Sequence, residues 1–322
     1  MDRSEIDPKI LEQIRKLEEK YEAMGQDLSS YLDGLLYSDF LTYWDYIHLD
    51  TLLSLQNPKT GLQDEMTFII YHQHTELFFK LVLWELEQMT SSEHLTEEFA
   101  IEKLDRVNRI FRLLSDSFAI MIKGMDKEQF LKFRMSLLPA SGFQSAQYRI
   151  IEITSTCLYN LIDVRDREKF NSNEPIEELI KHIYWKEGAT ELSSGKKTLT
   201  LKMFEEKYMH LFIHRAKNYQ TKNLNQLYQD HFSGTNNKEL KEAFREFDYL
   251  ANVSWPLAHY KSAVKHLHKA PSDIAATGGT NWQKYLPPKF QKIMFFPDLW
   301  SDKEKEEWGK RWLLEEVFQK SH

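Results

Sequence analysis

Three side chains have the type and setting that chemistry needs: His72, Arg134 and His259. His72 lies in DEMTFIIYHQHTELFFKLVLWEL, Asp64–Leu86, a stretch without Gly or Pro that is too long for a strand and reads as a buried helix. Phe68, His72, Thr75 and Phe79 recur at i, i+4, i+7 and i+11 and share a face, so an imidazole interrupts a stripe of aromatic and small groups. Such a histidine either satisfies a polar neighbour in the core or points into a pocket. Arg134 lies in FLKFRMSLLPASGFQS, one helical turn after Phe130 and flanked by Phe133 and Leu137. Its guanidinium either snorkels to a surface ion pair or holds a carboxylate with its planar fork. Pro139-Ala140-Ser141-Gly142 follows, small enough to let backbone approach a ligand, or simply to turn between two helices. His259, in SWPLAHYKSAVKHLH, ends an apolar stretch and reads equally as a packed histidine or a ligand.

The donor inventory limits the cofactor. Among the 12 histidines there is no HExxH, and His72-Gln73-His74 and His266-Leu267-His268 place their rings on different sides of a helix. Cys157 is the only cysteine, which excludes an intramolecular disulfide and a cysteine-rich zinc or iron–sulfur site. It reads as a small core residue. Haem asks less of the protein: one ligand on the iron, an open opposite face and a distal group to organise it. Histidines far apart in sequence among many aromatics suit that need. Thr277-Gly278-Gly279-Thr280 lacks the context of a nucleotide loop and reads as a loop able to close on a ligand.

The elements that must position these groups are helical. The chain has 322 residues, 42% hydrophobic and 13% aromatic, with only 11 Gly and 9 Pro, which argues for long helices and against a turn-rich β fold. A net charge of −7 without a basic block argues against a nucleic-acid partner. No apolar signal core and no membrane-spanning run is visible, so a cytoplasmic location is expected. Asp7-Pro8 caps a helix running to about Met24, with Ile10, Leu11, Ile14, Leu17 and Tyr21 as its stripe. Asp39 or Thr42 is placed to cap one that ends before Asn57-Pro58. Further helices are predicted over Leu95–Phe118, Lys127–Leu137, Phe143–Ile162, Thr198–Phe212, Glu239–Ala258 and Ser301–Gln319. Residues 163–197 and 231–238 read as variable loops, with a turn at Ser193–Lys197, and Ala270–Thr280 as a small-residue loop. No repeat or sharp composition shift appears, so a single all-α domain over 1–322 is expected.

Taken together, YWDYIHLDTLLSLQ, DEMTFIIYHQHTELFFKLVLWEL, FRMSLLPASGFQSAQYRIIE, WPLAH and TGGTNWQKYL…FFPDLW occur in an order that resembles the tryptophan 2,3-dioxygenase family from about Tyr43 to Trp300. ASGFQSxQxR and FIIxHQxxEL are its specific signals. The resemblance implies an all-α enzyme with one haem b per subunit, active as Fe(II). The implied reaction inserts both atoms of O2 across the indole C2–C3 bond of L-tryptophan to give N-formyl-L-kynurenine, the first step of catabolism through kynurenine. It implies His259 as the iron ligand, with Ser141 and Gly142 beside the haem. His72 corresponds to the distal histidine that bonds the indole N–H, and Arg134 to the clamp on the substrate carboxylate. Phe68, Ile69 and Phe130 correspond to pocket residues, and Thr277 to the threonine of a loop closing over the substrate ammonium and carboxylate. Tyr43, Tyr46 and Ile47 correspond to residues that a neighbouring subunit inserts, within residues 1–60, which implies a homotetramer built as a dimer of dimers.

This sequence departs from the family pattern in two places. The segment from His259 to Thr277 is longer, which lets His266 or His268 compete as the iron ligand, although WPLAH fits Trp-x-x-x-His best. Trp44 stands where the family carries Gly after the tyrosine. The residue chemistry agrees with the resemblance: a flat zwitterion needs a carboxylate clamp, an aromatic slot and an acceptor for the indole N–H. Two other readings keep the helices: a related haem oxygenase acting on another indole, separated by product mass, and a haem sensor or haem-free scaffold, which would need none of this set together.

Overall fold

The computed structural model of the protein describes residues 6–37, 42–134, 142–190, 196–267 and 287–310. They fall into two compact units, 1–57 and 58–322, divided at the Asn57-Pro58 break.

The first unit holds α1 (Pro8–Ala23), α2 (Leu28–Tyr37), α3 (Tyr43–Tyr46) and α4 (Leu49–Leu53). Asp7 caps α1 as expected, accepting from the Lys9 N–H at 2.8 Å with Pro8 at the first helical position. The stripe predicted on α1 is not buried within the chain: Ile10 is 50% exposed and Leu11 41%. Thr42 does cap a helix, but not the continuous one expected. The chain breaks after Tyr46, where His48 takes a left-handed conformation (φ 52°), so α3 and α4 are separate short turns.

The second unit is built on α5 (Asp64–Thr90), α6 (Glu97–Gly124), α7 (Lys127–Arg134), α8 (Ala146–Ser155), the short turns α9 (Ile176–Leu179) and α10 (Tyr184–Glu187), α11 (Leu199–Tyr219), α12 (Leu224–Leu227), α13 (Lys238–Tyr249) and α14 (Trp255–Leu267). No regular strand occurs among the described residues, so the all-α expectation holds. On α6, Ala100, Leu104, Val107, Phe111, Leu114, Phe118 and Met121 are buried at alternating three- and four-residue steps, and this stripe meets α5, α13 and α14. The buried Lys103 of α6 reaches Glu85 of α5 at 3.1 Å.

α5, α6 and α11 run on past their predicted ends at Leu86, Phe118 and Phe212 to Thr90, Gly124 and Tyr219, and two other predicted helices and one predicted loop differ from the structure for physical reasons. The predicted Phe143–Ile162 helix stops at Ser155, because Thr156 turns extended and its hydroxyl donates to the carbonyl of Phe295 at 2.7 Å. The Glu239–Ala258 helix continues to Leu267 but contains a π-helical turn, Leu250–Ser254. Pro256 lacks the N–H that the carbonyl of Asn252 would need and crowds it, which widens the turn just before it. Residues 163–197 are not simply a loop: Ile176, Leu179, Ile180, Ile183, Tyr184 and Trp185 are buried in the core. Their one-turn spacing is too brief to stand out as a periodic pattern. Residues 233–237 are the expected connection, held where Thr235 and Asn237 donate to Glu97 at 2.5 and 2.8 Å. Of the other predicted segments, Ser193–Gly195, Ala270–Thr280 and the end of the last helix lie outside the described residues. Cys157 is half-buried and burial raises its thiol pKa, in keeping with a packing role.

The returning segment 293–300 is fastened by Asp248, which is fully buried. Its carboxylate accepts from the N–H groups of Phe295 (2.7 Å) and Phe296 (3.0 Å), the indole N–H of Trp300 (2.9 Å) and the Asn252 amide (2.8 Å). Burial pushes its pKa up to about 6 even though these donors pull it down. Asp248→Ala is expected to cost about 3–5 kcal/mol, because it strands several buried donors. Urea unfolding measures this, and a loss below about 1 kcal/mol contradicts the role.

Candidate active site

α5 is fixed at its start before it reaches the site. Glu65, 4% exposed, accepts from the Lys59 N–H (2.7 Å), the Thr60 N–H (2.7 Å) and the Thr60 hydroxyl (2.6 Å). The Asp64 carboxylate accepts from the Asp126 N–H at 2.6 Å, and Gln129 accepts from the Asp64 N–H at 3.2 Å. These bonds align α7 with the first turns of α5. They bring the Phe68 ring within 6.1 Å of Phe130 and 5.6 Å of Phe133, forming an aromatic slot one turn from Arg134.

Phe68, His72, Thr75 and Phe79 all line one cavity of about 750 Å³, so the helical face read from the sequence is the wall of a pocket. Glu76, Phe130, Arg134, Tyr148, Trp255, His259 and His266 are also among its walls. The size and aromatic lining are those of a ligand site.

His72 Nδ1 lies 2.7 Å from the carbonyl oxygen of Phe68. Burial lowers the His72 pKa, so the ring is neutral, Nδ1 carries the proton and donates it to that carbonyl, and Nε2 is left as an acceptor. His259 stands on α14, with its ring 5.8 Å from that of Trp255 and 5.9 Å from that of Phe118. Trp255 in turn stacks on Phe79 at 5.8 Å, which ties α14 to α5. Burial, with a further contribution from His72, pushes the His259 pKa down to about 4. Neither His259 nitrogen has a hydrogen-bond partner among the described residues. Arg134 is half-buried with no anionic partner among the described residues, and burial lowers its pKa. A guanidinium stays charged under such a shift, so it presents an uncompensated cation to the cavity.

These groups fit a haem. A neutral imidazole free on both nitrogens, set in an aromatic-walled cavity, is what the iron of a macrocycle requires from the protein. No group of three or more His, Cys, Asp or Glu able to chelate an ion by themselves occurs among the described residues.

The structure therefore brings Phe68, His72, Phe130, Arg134 and His259 together. Ile69 is half-buried and does not line the cavity. Ser141 and Thr277 lie outside the described residues. Gly142 opens a 3₁₀ turn whose Phe143 and Gln144 line the cavity. Tyr43 and Tyr46 belong to the first unit, 72% and 73% exposed, and Ile47 there is half-buried. Of the competing ligands, His266 spends Nε2 on the carbonyl of Met121 at 2.8 Å, and His268 lies outside the described residues.

Sequence reasoning missed a buried network on the cavity wall. Arg149 meets Glu152 at 3.1 Å, and Tyr184 donates to Glu152 while accepting from Arg149 at 3.1 Å. Burial outweighs the arginine and brings the Glu152 pKa up to about 7. The i, i+3 spacing of Arg149 and Glu152 was the available signal, but such pairs are commonly surface pairs.

The family model described as tryptophan 2,3-dioxygenase matches residues 36–270. Tryptophan 2,3-dioxygenase of Ruegeria sp. (strain TM1040) is 42% identical over 117 residues, covering 36% of this chain and 42% of the relative. Tryptophan 2,3-dioxygenase B of Danio rerio is 33% identical over 178 residues, 52% of this chain and 41% of the relative. Tryptophan 2,3-dioxygenase of Aedes aegypti is 35% identical over 161 residues, 48% of this chain and 38% of the relative. Each alignment thus spans less than half of the curated relative.

Proposed function

The chain belongs to the tryptophan 2,3-dioxygenase family, and from that premise we propose that it inserts both atoms of O2 across the C2–C3 bond of L-tryptophan, giving N-formyl-L-kynurenine. The observation that carries the reading is the convergence of an uncompensated Arg134, an aromatic slot at Phe68 and Phe130, an acceptor on His72 and a neutral His259 on one cavity. Arg134 takes the substrate carboxylate through its fork. Phe68 and Phe130 hold the indole, and His72 Nε2 accepts the indole N–H. His259 is the iron ligand, and Ser141 and Gly142 are the small residues beside the haem. Haem b, when bound, supplies the redox-active iron for O2 chemistry. The protein's contribution is orientation: clamp, slot and acceptor fix the C2–C3 bond in one pose.

The same reading gives residues 1–60 to a neighbouring subunit's site, through Tyr43, Tyr46 and Ile47, and Thr277 to a loop over the substrate. The apolar stripe left exposed on α1 supports the neighbour. The expected assembly is a homotetramer and the expected location cytoplasmic. No helix among the described residues is long and apolar enough to cross a membrane.

The test is to add L-tryptophan to reduced, haem-loaded protein without air and then admit O2. A product carrying both oxygen atoms supports the reading; one oxygen atom, or none, defeats it. Because positioning is shared, His72→Ala is expected to lower kcat/KM roughly 10- to 100-fold without abolishing turnover, the worth of one buried hydrogen bond. Undetectable turnover with haem and fold intact would assign His72 an obligatory chemical step instead.

A further inference from the structure

His266 lines the cavity with Phe130 and Arg134 and is 2% exposed. Burial lowers its pKa, so the ring is neutral. Its Nε2–H donates to the Met121 carbonyl at 2.8 Å, which leaves the lone pair on Nδ1. Nδ1 is buried and without a partner among the described residues. An orphaned acceptor in a ligand cavity is a standing invitation to a donor.

We propose that His266 Nδ1 accepts a hydrogen bond from the α-ammonium group of the substrate and so selects an amino acid over an indole acid that lacks the amine. This rests on the dioxygenase reading of the cavity. Carboxylate and ammonium share one carbon, so a carboxylate held by Arg134 fixes the ammonium beside it. Phe130 stands one turn before Arg134, and the His266 ring lies 5.0 Å from that of Phe130. Glu76 is the carboxylate among the residues of the wall. It sits farther along α5: from residue 68 to residue 76 the helix rises about 12 Å. It is Phe68, at the near end, that meets Phe130. The Glu76 carboxylate also already accepts from Gln147 at 2.9 Å.

The experiment titrates haem-loaded protein with L-tryptophan and with indole-3-propionate, which keeps the ring and carboxylate but lacks the ammonium, by calorimetry. His266→Leu is expected to weaken L-tryptophan about tenfold or more, as for a hydrogen bond to a charged group, and to leave indole-3-propionate unchanged. His266→Asn, which keeps an acceptor near Nδ1, is expected to recover part of that loss and guards against a folding defect in the leucine variant. Equal weakening of both ligands, or no change in either, overturns the ammonium role. If unsubstituted protein binds neither ligand, the dioxygenase reading itself fails. That outcome is distinct, because it appears before any substitution is made.

Discussion

Arg134→Met is expected to raise KM for L-tryptophan by about 100- to 1,000-fold, with a much smaller change in kcat, because it removes a charge-assisted, bidentate bond made in the ground state and the transition state alike. The arginine has no competing use that would hide the effect, since no anion among the described residues pairs with it. Methionine keeps most of the length of the apolar stem, so the fold is expected to survive. Steady-state kinetics check this, with 3-methylindole as control. That ligand has no carboxylate, and its affinity should not depend on residue 134. An unchanged kcat/KM for L-tryptophan excludes the clamp.

His259→Ala is expected to abolish stable haem binding while leaving the protein folded. Outer partners of metal ligands are worth about 10- to 100-fold in affinity, and the ligand itself should be worth more. The fold should tolerate the change, because His259 makes ring contacts with Trp255 and Phe118 but no hydrogen bond among the described residues. The measurement is the Soret absorbance per chain after reconstitution, beside the far-ultraviolet circular dichroism. Added imidazole should restore part of the absorbance in His259→Gly by filling the vacated space. A normal Soret band in the alanine variant would pass the ligand role to another histidine, and His266 is a poor candidate because Met121 holds its Nε2.

What the sequence determined by itself is what depends on neighbours one or two turns away. The Phe68–His72–Thr75–Phe79 face, the Phe130–Arg134 pair and the Asp7 cap all follow from a 3.6-residue period and local capping chemistry, and the structure keeps each. Other features required the tertiary structure. Whether His72 served core or pocket depended on what faced it, and α7 and α14, distant in sequence, supply the other walls of the cavity. The end of α8 depended on a carbonyl of Phe295, and the course of 293–300 on Asp248. His266 was legible only as a competing ligand until the Met121 carbonyl took one nitrogen and left the other buried and free. Ile69, next to Phe68, stays off the cavity because a helix turns its side chains about 100° per residue, and only the packing of α6 and α7 selects which face looks inward. Local periodicity makes the helices, and the choice among their faces is a sum of long-range contacts that no single segment contains.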